Sequence, residues 1–261
     1  MDNSSDSGSV LDLLRSRHSV RSYSVTTLDD AVRNRLRSEI TYINTHESGL
    51  AFQLCFDDAA PFQGWSRSYG MFRNVRNYMA AVIDPTFPDA VERAGYFAQQ
   101  FVIEAVRAGL GTCFVGGTYS GSHIGARVEV YEKVPFVVAF GKPEHSATSL
   151  LARITSGFAH RKTMTPRDFF AGDDVEYHEV LDRFPWLHTA LQAVACAPSA
   201  MNRRPVRLKM REVGGRSRIV AFTGDSGKYA VDLGIAKYNV AAVVPGVWEW
   251  GENAPFIPDA D

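Results

Sequence analysis

The strongest periodic signal in this chain runs from Pro88 to Ala108. Val91, Ala94, Ala98, Phe101, Val102 and Ala105 recur at spacings near 3.6, which places them on one face of a long helix. Gly109 comes next and can stop the helix in a left-handed conformation. A second long apolar helix is expected over Lys228–Val244, behind the turn Gly224-Asp225-Ser226-Gly227. Strand-like segments precede each one: Ala51–Phe56 and Tyr78–Ile83 before the first, Val206–Arg211 and Ile219–Phe222 before the second. Val134–Gly141 is a further buried-strand candidate. Shorter helices are expected over Val10–Arg17, over Leu28–His46 with Thr27 as cap, and over Val180–Cys196. Helix, strands and long helix thus recur in shortened form beyond a composition change near Asp173. The order implies an α+β chain of two unequal halves, 10–175 and 176–261, folded as one compact unit.

Composition narrows the function classes. The 261 residues are 45% apolar with a formal net charge of -1. That supports a sizeable core but no long-range field for nucleic acid or an anionic membrane. Apolar runs fall far short of the roughly 20 residues a membrane span needs. Met1–Ser9 is polar and acidic, so it reads as a disordered tail and not as a secretory leader. Cys55, Cys113 and Cys196 are an odd, scattered set, which reads as reduced thiols in a cytoplasmic protein. Neither cysteine nor histidine spacing suggests a metal site.

Four segments can carry chemistry. In Arg17-His18-Ser19-Val20-Arg21, the residues Arg17, Ser19 and Arg21 alternate, so an extended backbone presents all three to one anion. The bland alternative is a solvated basic surface. Gly109-Leu110-Gly111-Thr112-Cys113-Phe114-Val115-Gly116-Gly117 lets a backbone approach a flat ligand, or is simply a helix stop before a tight turn. Ala197-Pro198-Ser199-Ala200-Met201-Asn202-Arg203-Arg204-Pro205 leaves a helix through small hydrogen-bonding residues, which also describes an ordinary capped turn. Arg161-Lys162 is a basic pair or a solvated turn. Met201, Tyr119, Trp248 and Trp250 are either pocket walls or plain core.

Taken together, these segments resemble the FMN-dependent nitroreductase family. Their order matches over most of Val10–Gly172, through the strand ending Gly141-Lys142-Pro143. The family's Ala-Pro-Ser-x-x-Asn-x-Gln-Pro motif is matched at Ala197–Pro205, except that Arg204 replaces Gln. The resemblance implies mixed or antiparallel sheets packed with long central helices. It also implies two halves that mimic the family homodimer inside one chain. It assigns the flavin phosphate and ribityl chain to Arg17, His18, Ser19, Arg21, Arg161 and Lys162. It assigns the flavin ring to Val115, Gly116, Gly117, Pro198, Ser199, Ala200, Met201, Asn202 and Arg204.

The implied activity is hydride transfer from NADH or NADPH through non-covalent FMN to a small organic acceptor, a nitroaromatic or a quinone. The flavin is the redox centre, so no side chain is expected as a general base. The small-molecule substrate is the only partner implied. The chain would be a monomeric internal pseudo-dimer or a weak homo-oligomer. Two alternatives stay open: an FMN-binding protein without NAD(P)H turnover, serving flavin storage, sensing or modification, and an interaction protein on a decayed flavoenzyme scaffold.

Overall fold

Two strands of unbroken apolar character organise the antiparallel sheet of the α+β fold. The computed structural model describes residues 4–63, 70–144 and 164–259. Chain contacts divide it into two units. The first contains Met1–Arg17, Pro88–Gln100 and Met164–Asp261; the second contains His18–Phe87 and Phe101–Thr163. This division is interleaved and does not coincide with the sequential split at 175/176.

In the second unit, β1 (Gln53–Cys55), β2 (Tyr78–Ala80), β3 (Gly111–Val115) and β4 (Val137–Gly141) form an antiparallel sheet in the order β1-β2-β4-β3. Every residue of β2 and β4 is buried, as expected for inner strands covered on both faces. Tyr23, Phe62, Val75, Tyr78, Val115 and Ala139 fill one cluster against it. α2 (Asp30–His46) buries Leu36, Ile40 and Ile43, one turn apart. Its cap is Asp29, not Thr27: the Asp29 carboxylate accepts from the Val32 N–H at 2.9 Å. A carboxylate also suits the positive end of the helix better than a hydroxyl does.

In the first unit, α1 (Ser4–Ser16) starts inside the segment read as a tail. Leu11 and Leu14 are buried, and once they fix one turn, adding further turns costs little. The helix expected over Val180–Cys196 is instead two, α4 (Asp174–Arg183) and α5 (Leu187–Ala195). Pro185 explains the break: it has no N–H to donate, and it forces Phe184 out of the helical region to φ -126, ψ 77. α5 packs on α6 (Ser226–Ala241), and α1 packs on α5. β5 (Arg207–Val213) pairs with β6 (Arg216–Phe222), and β7 (Gly246–Trp248) with β8 (Phe256–Pro258), as two hairpins.

The long helix α3 (Ala90–Arg107) matches the expected segment, and Gly109 lies just beyond it at φ +77. Its first turns meet α6 backbone to backbone. A Cβ on Gly95 would lie 2.4 Å from the Val231 carbonyl oxygen, and one on Gly234 would lie 1.9 Å from that of Glu92. No described helix is long and apolar enough to cross a membrane.

Candidate functional site

α5 runs into the segment Ala197–Pro205, and its last buried residues, Ala193 and Val194, fix where that segment leaves the core. The segment then forms a turn of unusual backbone. Met201, Asn202 and Arg204 lie at φ 51, 53 and 50, three non-glycine residues in the left-handed region. Each such residue costs on the order of 1 kcal/mol or more, and such strain persists only where neighbours over-determine the conformation. Here they do. The Ser199 hydroxyl oxygen accepts from the Arg204 N–H at 2.8 Å. The Asn202 side-chain oxygen accepts from Arg204 Nε at 3.1 Å. The Arg204 carbonyl accepts from Arg207 Nη1 at 2.7 Å. Met201 projects outward, 73% exposed, so it is not a core residue.

Arg17 belongs to this neighbourhood. Its backbone is not extended. Its N–H bonds to the Leu13 carbonyl at 3.1 Å, continuing the last turn of α1. Arg15 Nη2 donates to Gln192 Oε1 at 3.1 Å, which fixes α1 against α5. The electrostatics report the result. Burial pushes the Cys196 thiol up, while the positive charges of Arg15, Arg17 and Arg204 oppose that rise. Arginines from opposite ends of the chain therefore act on one atom. Arg203 donates to the Tyr229 hydroxyl at 3.3 Å and is the first cause of that phenol's lowered pKa.

The remaining candidates lie in the second unit. Ser19 bridges Thr112 of β3, and the Val20 N–H donates to the Thr112 carbonyl at 2.9 Å. Val20 and Tyr23 point into the core, while His18 and Arg21 are exposed. The glycines of the 109–117 segment separate by role. Gly111 is small for packing, because a Cβ there would sit 2.6 Å from Val20 Cγ2. Gly116 and Gly117 are exposed, and a Cβ on either meets nothing within 4 Å. Their side of the backbone is open, as a flat ligand requires. Val115 itself is buried at the end of β3. Arg161 and Lys162 lie outside the described residues. Trp248 and Trp250 are packed among aromatic rings, Trp248 on Phe256 and Trp250 on Tyr96. Among the described residues no cluster of metal-binding side chains occurs.

The residue that sequence reading missed is Asp232. It sits in α6 and is only 5% exposed. Its Oδ1 accepts from the Ala200 N–H at 3.1 Å, beneath the strained turn. With Phe169, Val194, Pro198, Ser199 and Arg204 it lines a cavity of about 10 Å³. Burial holds its carboxyl up at about 6, with the Ala200 N–H opposing, against an ordinary value of 3.8. The signal was available: a lone acid stands in the apolar run Ala230-Val231-Asp232-Leu233-Gly234-Ile235-Ala236, and buried acids are rare without a purpose.

This raised carboxyl makes stability depend on pH. The folded chain binds this proton more tightly than the unfolded one, so the contribution to stability is full below about pH 4. It is lost as pH rises through about 6. Asp232→Asn should remove that slope. Denaturant unfolding from pH 4 to 7 should show the stability difference moving in favour of the Asn variant until about pH 6, then levelling. A difference that stays constant across the range would contradict it.

The family model described as "Putative TM nitroreductase" matches residues 9–243. This chain belongs to the nitroreductase family. Among solved structures, a "putative nitroreductase" from Thermotoga maritima MSB8 aligns over 95% of this chain and 91% of its own. The identity is 18% and the TM-score 0.57. A nitroreductase with bound FMN from Bacteroides fragilis NCTC 9343 aligns over 63% of this chain and 98% of its own, at 15% identity and a TM-score of 0.45. A nitroreductase family protein from Clostridium novyi NT covers 52% and 85%, at 14% identity and a TM-score of 0.41. No curated protein matches.

Proposed function

We propose that this nitroreductase family member is an FMN-dependent oxidoreductase that passes hydride from NADH or NADPH to a small organic acceptor of nitroaromatic or quinone type. The observation that carries the reading is the strained turn Met201–Arg204, held by Ser199, Asn202 and Arg207, with the charges of Arg17 and Arg204 both acting on the Cys196 thiol beside it. Fixed guanidinium charge is what a phosphate needs, and a rigid polar turn is what a flavin edge needs. The open face at Gly116 and Gly117 fits a planar ring.

When bound, FMN supplies the hydride chemistry. The residues bind and orient. Arg17, Ser19 and Arg21, with His18, Arg161 and Lys162, hold the phosphate and ribityl chain. Val115–Gly117 and Pro198–Asn202, with Arg204, frame the ring. The chain acts as an internal pseudo-dimer with one complete set of motifs, so it binds one FMN.

The purified protein is expected to be yellow, to release FMN on denaturation at a ratio near one per chain, and to bleach with NADH or NADPH in the absence of oxygen. A colourless protein that binds no added FMN would overturn the reading, and a ratio near two would overturn the single site. Replacing Arg17 or Arg21 by Ala should weaken FMN binding by about 1.5–3 kcal/mol, the range for a hydrogen bond to a charged group. Riboflavin, which has no phosphate, should respond little. Fluorescence titration decides: unchanged FMN affinity in both variants would return the motif to a basic surface.

A further inference from the structure

We propose that Asp232 is a positioning residue of the flavin site, one that holds the turn Ser199–Arg204 in the strained form that presents Asn202 and Arg204. The proposal rests on the FMN reading. Its ground is the contrast between two buried acids. Glu92 is 3% exposed, and both of its oxygens are engaged, by Lys237 Nζ and by the Gly251 N–H. That is how an acid kept for stability looks: its desolvation is offset on every side. Asp232 is equally deep, yet its Oδ2 meets no hydrogen-bond partner among the described residues. Its one side-chain hydrogen bond among the described residues is from the Ala200 N–H, at the start of the turn.

Two other side chains tie the backbone of the turn, Ser199 through the Arg204 N–H and Arg207 of β5 through the Arg204 carbonyl. Both act at its far end. The near end closes on itself through the Asn202 N–H to the Ser199 carbonyl at 3.0 Å and the Arg203 N–H to the Ala200 carbonyl at 3.1 Å, and Asp232 adds a tie from outside the turn, from the buried second half of α6. Without that tie only the turn's own backbone bonds hold its near end, and Met201 and Asn202 leave the left-handed region more readily. The only other charged side chain among the residues that line the cavity is Arg204, a member of the same turn. Burial of the acid and its unengaged oxygen disfavour the fold by themselves. The gain is a turn held from a rigid helix instead of from a loop.

The test uses the full chain. Asp232→Ala removes the acceptor; Asp232→Asn keeps a side-chain oxygen for the Ala200 N–H. Asp232→Ala should raise the FMN dissociation constant at least tenfold and change the visible circular dichroism of bound flavin. Asp232→Asn should restore both to within about threefold of wild type. Trypsin reads the turn without flavin: cleavage after Arg203 should accelerate severalfold in Asp232→Ala and not in Asp232→Asn. If Asp232→Ala does not fold, Ser199→Ala loosens the same turn and should show the same accelerated cleavage. Equal cleavage and equal flavin spectra in wild type and Asp232→Ala would overturn the proposal; for a non-folding Asp232→Ala, unaltered cleavage in Ser199→Ala would do so. A wild type that binds no FMN would instead sink the cofactor reading, with the cleavage rates still deciding whether Asp232 holds the turn.

Discussion

Replacing Lys237 by Met should destabilise the protein by about 3–5 kcal/mol, because breaking a buried ion pair strands the other charge. Lys237 is 0% exposed. Its ammonium has three protons and three acceptors: Glu92 Oε1 at 2.6 Å, the Glu249 carbonyl at 3.0 Å and the Gly251 carbonyl at 2.9 Å. Burial pushes the Glu92 carboxyl up and the Lys237 ammonium down, and their mutual attraction opposes both shifts. The Met variant keeps the stem volume but leaves Glu92 with the Gly251 N–H alone. It also leaves two carbonyls of the chain between β7 and β8 without their donor. Adding Glu92→Leu should recover part of the loss, since the stranded charge goes with it. Denaturant unfolding of the single and double variants checks this; a single variant within about 1 kcal/mol of wild type would contradict it.

The second large effect is expected at Gly234. An exposed helix-interior Gly→Ala change normally stabilises by up to about 1 kcal/mol. Here the sign should reverse, with a loss of about 3 kcal/mol, at the upper end of ordinary overpacking. The added methyl would meet backbone, at 1.9 Å from the Glu92 oxygen and 2.7 Å from the Tyr96 nitrogen, so no side-chain rotation relieves it. α3 and α6 would have to separate, carrying the Lys237–Glu92 pair and the 2.9 Å bond from Gln99 Nε2 to Asn239 Oδ1 with them. Gly227, in the first turn of α6, is the control: its Cβ would meet only an Asp225 oxygen at 3.8 Å. Thermal unfolding should separate the two variants in opposite directions. A Gly234→Ala protein as stable as Gly227→Ala would mean the helices yield without strain.

Much of this fold was legible because the signals are local. The period of Val91 to Ala105 placed α3 to within two residues, and Gly109 stopped it as its conformational freedom allows. The apolar runs at Tyr78 and Val134 became the inner strands of the sheet. Where reading failed, the competing signal was also local but weaker. Pro185 divided a helix that periodicity alone had joined, and Asp29 outcompeted Thr27 as cap. The candidate site was legible in its residue types and not in its grouping. Arg17 looked like one of three alternating residues in an extended run, yet its backbone continues the last turn of α1, and its charge acts on the Cys196 thiol. The glycines from 109 to 117 looked alike, yet Gly109 supplies a left-handed helix stop, Gly111 is small for Val20, and Gly116 and Gly117 face open space beyond β3.

By itself the sequence determined the long helices, the inner strands, the helix exit at Pro198 and the family, because near-neighbour sterics, hydrophobic period and motif order are written in consecutive residues. The tertiary structure decided which buried charges meet. Glu92 and Lys237 are 145 positions apart, and Asp232 reaches Ala200 across 32. No local preference encodes such pairings. Glu92 and Lys237 meet because desolvating a charge is costly and a partner offsets the cost, from wherever in the chain it lies; Asp232 keeps one oxygen unengaged and meets only a backbone N–H.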